Sequence, residues 1–268
     1  MDVEIIERDG NFIRFIIEGV SPAFINSLRR TIIAEVPVMA IDEVVIVENN
    51  SSLFDEVLAH RLGLIPLTTP EGKYGFSEEC ECQGVGCPKC NVTFTLKKEA
   101  GEGITVVYSG DLESSDPEVV PVSPDIVIVK LVPRQKIELE AFAKMGTGKQ
   151  HAKWQSVTVS AYKYCMEFDF DSEKCTLCEE CIEACPKQIL KREGDEIVCF
   201  DPLECTLCDA CVEACDFDAI KIKEDDTKFI FTVEGLGNIP PESIVRQAAQ
   251  IFIKKSQELE EQIGTMSA

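Results

Sequence analysis

At 268 residues, with 45% hydrophobic and 28% charged side chains, the chain is long enough to build two or three cores and is not a disordered polypeptide. Its 48 acidic against 26 basic residues, a formal charge of −22, repel phosphate backbones and argue against sequence-independent nucleic-acid binding by the chain as a whole. The opening MDVEIIERDGNF has no basic segment leading into an apolar stretch, and no run approaches the length of a membrane span, so a cytoplasmic protein is expected.

Residues 3 to 18 read as two strands, VEIIE and FIRFIIE, joined by Asp9-Gly10-Asn11, residue types that tolerate the positive φ of a tight hairpin. In SPAFINSLRRTIIAEVP, Ser21 suits a helix N-cap, Pro22 the first turn, and Pro37 the stop. Phe24, Leu28 and Ile32 recur every four residues, flanked by Ile25 and Val36, a stripe that is either core or partner surface. From about 41 to 150 the texture is β-rich: DEVVIVEN, NVTFTLKKE, ITVVYSG and DIVIVKL, separated by Gly, Pro, Ser and Asp clusters. The stretches 156–170 and 228–237 are again strand-like and bracket a cysteine-rich cassette over about 171–224, the pattern of an inserted domain. The chain closes on a long amphipathic helix, with Ile244, Ala248, Ile251, Phe252, Leu259 and Ile263 at helical spacing, facing either its own core or a partner.

The 14 cysteines fall mostly in C-x-x-C units without a secretory context, which favours metal ligation over disulfides. CTLCEECIEACP (Cys175 to Pro186) and CTLCDACVEACD (Cys205 to Asp216) each have the spacing C-x2-C-x2-C-x3-C. Three thiolates at that spacing wrap one corner of a cubane, and the fourth reaches across to the other cluster. The expected ligand sets are therefore Cys175, Cys178, Cys181 and Cys215 for one [4Fe–4S] cluster, and Cys205, Cys208, Cys211 and Cys185 for a second. Zinc ribbons pair C-x-x-C knuckles instead of this triplet, so a pair of zinc sites is the weaker reading. Asp216 replaces the proline that usually follows the fourth cysteine, which bears on the geometry of Cys215. Cys165 and Cys199 lie outside both motifs and are expected to be ordinary strand cysteines. Earlier, CECQGVGCPKC offers Cys80, Cys82, Cys87 and Cys90 on a Gly-rich loop, enough for a closed structural zinc site, with unligated thiols or a disulfide as the alternative.

The segments FINSLRRTIIAEVP, HRLGLIPL (His60 to Leu67), the cysteine loop that follows, and FTVEGLGNIPPESIVRQAA resemble the D-type subunit of archaeal RNA polymerase. That family includes the eukaryotic polymerase third subunit and the N-terminal domain of the bacterial α subunit, and some archaeal members carry a ferredoxin-like insert. The resemblance covers essentially the whole chain. It implies an α+β fold: a discontinuous α/β dimerisation domain (1–40, 151–170 and 225–268), a β-rich inserted domain with a cysteine loop (41–150), and a ferredoxin-like inserted domain (171–224). It also implies pairing with the small L-type subunit of the RNA polymerase, a platform for the large catalytic subunits and other small assembly subunits, and a partner surface built from Phe24, Leu28, Ile32, Ile244, Ala248, Ile251 and Phe252. Arg29 and Arg30 become candidate contacts to the large subunits, against the simpler reading of two solvated arginines.

Three functions compete: a non-catalytic assembly subunit of a DNA-directed RNA polymerase, an electron-transfer subunit of an oxidoreductase, and a free-standing iron–sulfur sensor. No Gly-rich phosphate loop follows a strand, which leaves an oxidoreductase without flavin or nicotinamide chemistry in this chain. The triplets Asp169 to Asp171 and Asp216 to Asp218 lack the longer D-x-D-G-D pattern needed to hold catalytic magnesium, and are read as acidic surface. His60 and His151, far apart and without a nucleophile motif, are read as structural. Loss of the clusters is expected to melt the cassette, which has little core of its own, and to spare the dimerisation domain.

Overall fold

A computed structural model of the protein describes residues 1–266. The chain begins with β1 (Asp2–Asp9), β2 (Phe12–Glu18), α1 (Pro22–Ala34), β3 (Val38–Asn49) and α2 (Asp55–Gly63). It continues through β4 (Asn91–Glu99), β5 (Thr105–Tyr108), β6 (Glu113–Ser114), β7 (Val127–Leu131), β8 (Lys136–Gly146) and β9 (Val157–Phe170). Then come α3 (Glu180–Ala184), β10 (Leu190–Glu193), β11 (Glu196–Cys199), α4 (Ala210–Glu213), β12 (Ile220–Gly235) and α5 (Pro241–Met266). The Ser21 hydroxyl accepts from the Phe24 N–H (3.3 Å), which makes it the cap of α1.

Two units emerge. One gathers Met1–Glu7, Arg14–Ser27 and Ala161–Thr232; the other gathers Arg8–Ile13, Leu28–Ser160 and the chain from Val233. A four-stranded sheet has the order β1-β2-β12-β9, so the two long strands that bracket the cassette in sequence are neighbours in space. In the first unit Phe15 stacks on Phe231 (5.4 Å between centroids) and Tyr162 meets Phe229 edge-on (5.6 Å), an aromatic seam that holds the host strands. The strand expected over 228–237 in fact begins at Ile220, because Ile220 and Ile222 pack against the cassette's own core and extend the strand into it.

In the second unit β3, β8, β4 and β6 form a sheet in that order, and β5 pairs with β7. Alternation on β4 sends Val92, Phe94 and Leu96 inward, opposite Ala143, Ala141 and Leu139 of β8. Leu58 and Leu62, one turn apart on α2, are wholly buried in the same core. Gly146, at the end of β8, is required by close packing: a Cβ there would lie 2.3 Å from Trp154 Cε2.

A buried-edge ion cluster closes this core. Lys153 Nζ donates to Asp42 Oδ1 (2.5 Å) and to the Ile41 carbonyl (3.1 Å), lies 4.3 Å from the Trp154 ring centroid, and Lys144 Nζ reaches Asp42 Oδ2 at 2.6 Å. Burial alone would raise the Asp42 pKa, yet the hydrogen bonds from Lys144 and Lys153 hold it below its usual value of 3.8. A depressed pKa contributes stability above the unfolded value and loses it as pH falls through the folded one. Asp42→Asn is therefore expected to lower stability by about 1–2 kcal/mol at pH 7, after discounting for solvent screening of this partly exposed pair. The gap between variant and wild type should close below about pH 4. Trp154, the chain's one tryptophan, packs on the cluster, so urea titration followed by its fluorescence reads the effect directly.

The expected partner stripe is corrected in part. Leu28, Ile32, Ile244 and Ala248 are buried within the chain itself. Each pair lies one turn apart on its helix, and Ile244 seats its Cδ1 against Gly235, where even a Cβ would come within 3.4 Å. These side chains are private core. Ile251 and Phe252 are half-buried, Phe24 is exposed, and further along α5 the exposed apolar residues are Ile253, Leu259 and Ile263. Arg29 is half-buried and Arg30 exposed. No helix among the described residues is long and apolar enough to cross a membrane.

Candidate metal centres

The loop from Cys80 to Cys90 turns through positive φ at Gln83, Gly84 and Gly86, and hands over directly to β4 at Asn91. Gly86 is held against Asn91, whose Nδ2 would lie 3.1 Å from an added Cβ. The Cys90 and Asn91 N–H groups both donate to the Cys87 carbonyl (3.0 and 2.9 Å), a tight knuckle that turns two sulfurs the same way. The sulfur separations are 3.5 Å for Cys80–Cys87, 3.5 Å for Cys82–Cys90 and 3.8 Å for Cys87–Cys90, and all four ligand atoms lie within 4.8 Å of one another. A tetrahedral zinc with Zn–S bonds of about 2.3 Å requires sulfurs about 3.8 Å apart, so the donor set fits one such ion with no position left for substrate. The Gly86 N–H, with the neighbouring thiols and the Gly84 N–H, pulls the Cys82 thiol down to about 6 against the cost of burial. The Cys82 N–H also favours the Cys80 thiolate, but the adjoining sulfurs outweigh it and push that thiol up to about 12. Such a tetrad shares its protons until a cation displaces them.

In the cassette, Cys185, Cys205, Cys208 and Cys211 line one small cavity, walled by Met166, Phe168 and Ile222. Cys175, Cys178, Cys181 and Cys215 line a second. Burial raises the Cys181 pKa, and the charges that add to it belong to Cys178, Cys215 and Cys175. Burial likewise pushes Cys211 up to about 11, with Cys185, Cys205 and Cys208 contributing. Cavity lining and electrostatics thus regroup the eight thiols in the same crosswise way, each fourth cysteine siding with the other triplet. Among the described residues, the cysteines whose sulfurs close on one another as a single-ion donor set are Cys80, Cys82, Cys87 and Cys90. Cys215 lines its cavity, and its Sγ accepts from the Ala219 N–H (3.4 Å), despite the aspartate that follows it. Cys165 and Cys199, both partly buried with pKa raised by burial, stand outside these two sets.

The two halves share an unusual backbone. Leu177 and Leu207, Glu179 and Asp209, and Gln188 and Asp218 all have positive φ, each pair one repeat apart. For a non-glycine residue this conformation is costly unless its surroundings require it. Here it turns the N–H of Leu177 toward Cys175 Sγ (3.3 Å) and that of Leu207 toward Cys205 Sγ (3.4 Å). None of these positions carries glycine, so residue type offered no warning; the repeated C-T-L-C was the only signal. Lys163 also escaped the sequence reading. It lies on β9, far from either motif, and its Nζ donates to the carbonyls of Leu203 and, at 3.0 Å, of Cys205.

The remaining candidates have local roles. His151 Nδ1 accepts from the Lys153 N–H (3.1 Å), and Asp171 pairs with Lys174 (2.9 Å) while its N–H bonds the Ala219 carbonyl (2.9 Å). His60 lies in the last turn of α2.

Residues 43–169 match the family model of the RNA polymerase Rpb3/RpoA insert domain, and residues 168–216 match a 4Fe-4S dicluster domain. DNA-directed RNA polymerase subunit Rpo3 of Methanothermobacter thermautotrophicus is 45% identical over 262 residues, 97% of each chain. The same subunit of Archaeoglobus fulgidus is 44% identical over 258 residues, and that of Methanosphaera stadtmanae 40% over 260, each alignment covering 96% of both chains. Identity at this level over nearly the whole length of both chains means that the chain belongs to the family of DNA-directed RNA polymerase subunit Rpo3.

Proposed function

We propose that this chain is a non-catalytic assembly subunit of a DNA-directed RNA polymerase, and that the nucleotidyl-transfer activity belongs to the complex it joins. The observation that carries this reading is the end-to-end identity with Rpo3 subunits, 40–45% over at least 96% of the chain for these three relatives. In this reading 1–40, 151–170 and 225–268 form a discontinuous dimerisation domain that pairs with a small subunit of the L type. The β-rich segment 41–150 and the cassette 171–224 are insertions in it. The exposed Leu259 and Ile263, one turn apart on α5, support such pairing.

The two sets of four cysteines would hold two [4Fe–4S] clusters, and Cys80, Cys82, Cys87 and Cys90 one zinc. The zinc would cross-link a loop with no buried apolar residue of its own between Cys80 and Pro88. The clusters would cross-link, through eight thiolates, a cassette in which Cys181, Cys185, Cys205 and Cys211 are half of the buried core residues, so iron supply or oxygen can alter assembly without touching catalysis. Anaerobic purification through this chain is expected to recover a stoichiometric small partner, the large polymerase subunits and DNA-templated RNA synthesis. Recovery with flavin or dehydrogenase subunits instead would overturn the proposal in favour of electron transfer.

A further inference from the structure

The repeat allows the two cluster sites to be compared position by position, and they differ in charge. Two residues after each crossing cysteine, the cavity of the Cys205 triplet is lined by Lys187, whereas that of the Cys175 triplet is lined by Phe217, set between Asp216 and Asp218. The Cys205 site also receives Lys163, half-buried, whose ammonium is hydrogen-bonded to the Leu203 and Cys205 carbonyls and not to a carboxylate. The nearby Arg14 is matched by Glu204 at 2.9 Å. Around the Cys175 site the cations are neutralised: Lys174 pairs with Asp171 at 2.9 Å and Arg192 with Glu179 at 3.1 Å. Glu179 is taken up by Arg192, so Asp209, at the equivalent position, offsets one of the two lysines at the Cys205 site, while Asp216 and Asp218 flank Phe217 at the other.

The geometry points to two unequal electron acceptors: the cluster held by Cys185, Cys205, Cys208 and Cys211 is reduced before the one held by Cys175, Cys178, Cys181 and Cys215, and Lys163 sets much of the difference. This rests on the reading that both sites hold [4Fe–4S] clusters. Reduction adds one electron from an external reductant such as dithionite, makes the cluster one unit more negative, and neither breaks a bond nor moves a proton. A fixed ammonium at the backbone of a ligating cysteine stabilises that added charge, and low-dielectric walls of Met166, Phe168 and Ile222 keep it unscreened. Lys163 touches the Cys205 carbonyl and not the iron, so it is a positioning and electrostatic residue.

The test uses the full chain with clusters assembled anaerobically. Iron and sulfide are assayed first, and then a dithionite titration is followed by electron paramagnetic resonance. Two one-electron waves are expected in the wild type, with Cys208→Ser removing the higher-potential wave and Cys178→Ser the lower. Lys163→Gln should move the higher wave alone, by about a tenfold change in the reduction equilibrium, about 59 mV for a one-electron couple. Lys163→Arg should restore most of it. Lys187→Phe, an exposed exchange for the residue at the equivalent position, should shift the same wave in the same direction. Coincident waves, equal shifts in both, or an Arg variant as displaced as the Gln variant would overturn the inference. Iron content short of two clusters would instead refute the two-cluster reading on which it stands.

Discussion

Cys185→Ala is expected to abolish the cluster of the triplet that follows it in sequence and to spare the one whose triplet it directly succeeds. About half of the iron and sulfide should remain, with the spectrum of the Cys175 site intact. The reason is spatial: α3 carries the chain away from Cys181, so Cys185 lines the cavity of Cys205, Cys208 and Cys211. Double variants separate this from a sequential arrangement. Cys185→Ala with Cys208→Ser removes two ligands of one cluster and should retain as much iron as either single variant. Cys185→Ala with Cys178→Ser strikes both clusters and should retain almost none. A sequential pairing predicts the reverse ranking, so iron content alone decides. Because each crossing cysteine ties one half of the repeat to the other, a single loss should also loosen both halves, visible as faster amide exchange on both α3 and α4.

Replacing Cys90 by serine is expected to empty the Cys80–Cys90 site and unfold the loop without unfolding the sheet beneath it. Structural zinc in small domains contributes on the order of 10 kcal/mol of apparent folding free energy at neutral pH, far more than a loop without core can replace. Limited proteolysis within 76–90 should therefore rise by at least about tenfold, equivalent to about 1.4 kcal/mol or more of local opening. The core formed by Leu58, Leu62, Phe94, Leu96 and Leu139 draws nothing from the loop, so the urea midpoint reported by Trp154 should move only slightly. Native mass spectrometry would give one zinc for the wild type and none for the variant. A wild-type mass without zinc but two hydrogens light per bridge would identify a disulfide and refute the site.

Much of this was legible in the residues because it depends on local spacing. A thiolate every third residue dictates which sulfurs can meet at one metal, and the C-x2-C-x2-C-x3-C repeat therefore carried the grouping of the cassette cysteines. Capping by Ser21, termination near Pro37 and alternation on β4 follow in the same way from nearest-neighbour chemistry.

The helix stripes show where that legibility stopped. Leu28, Ile32, Ile244 and Ala248 have the periodicity of an apolar face, but periodicity reports only that a face is hidden, not whether the chain or a partner hides it. The fold decided it, closing those four within the chain and leaving Ile253, Leu259 and Ile263 outside. The positive φ of Leu177 and Leu207 was likewise invisible, since neither residue type favours it and only the need to aim N–H groups at sulfur explains it. Lys163 is the furthest case. Its sequence neighbourhood is an ordinary strand, and it meets Cys205 only because β9 runs beside the cassette that interrupts it from β12. The sequence by itself determined the candidate ligand sets and the order of segments, because both are written in spacing along one dimension. Only the tertiary structure decided which apolar faces were internal and which cation stands beside which cluster site, because charge and burial act through space between residues far apart in the chain.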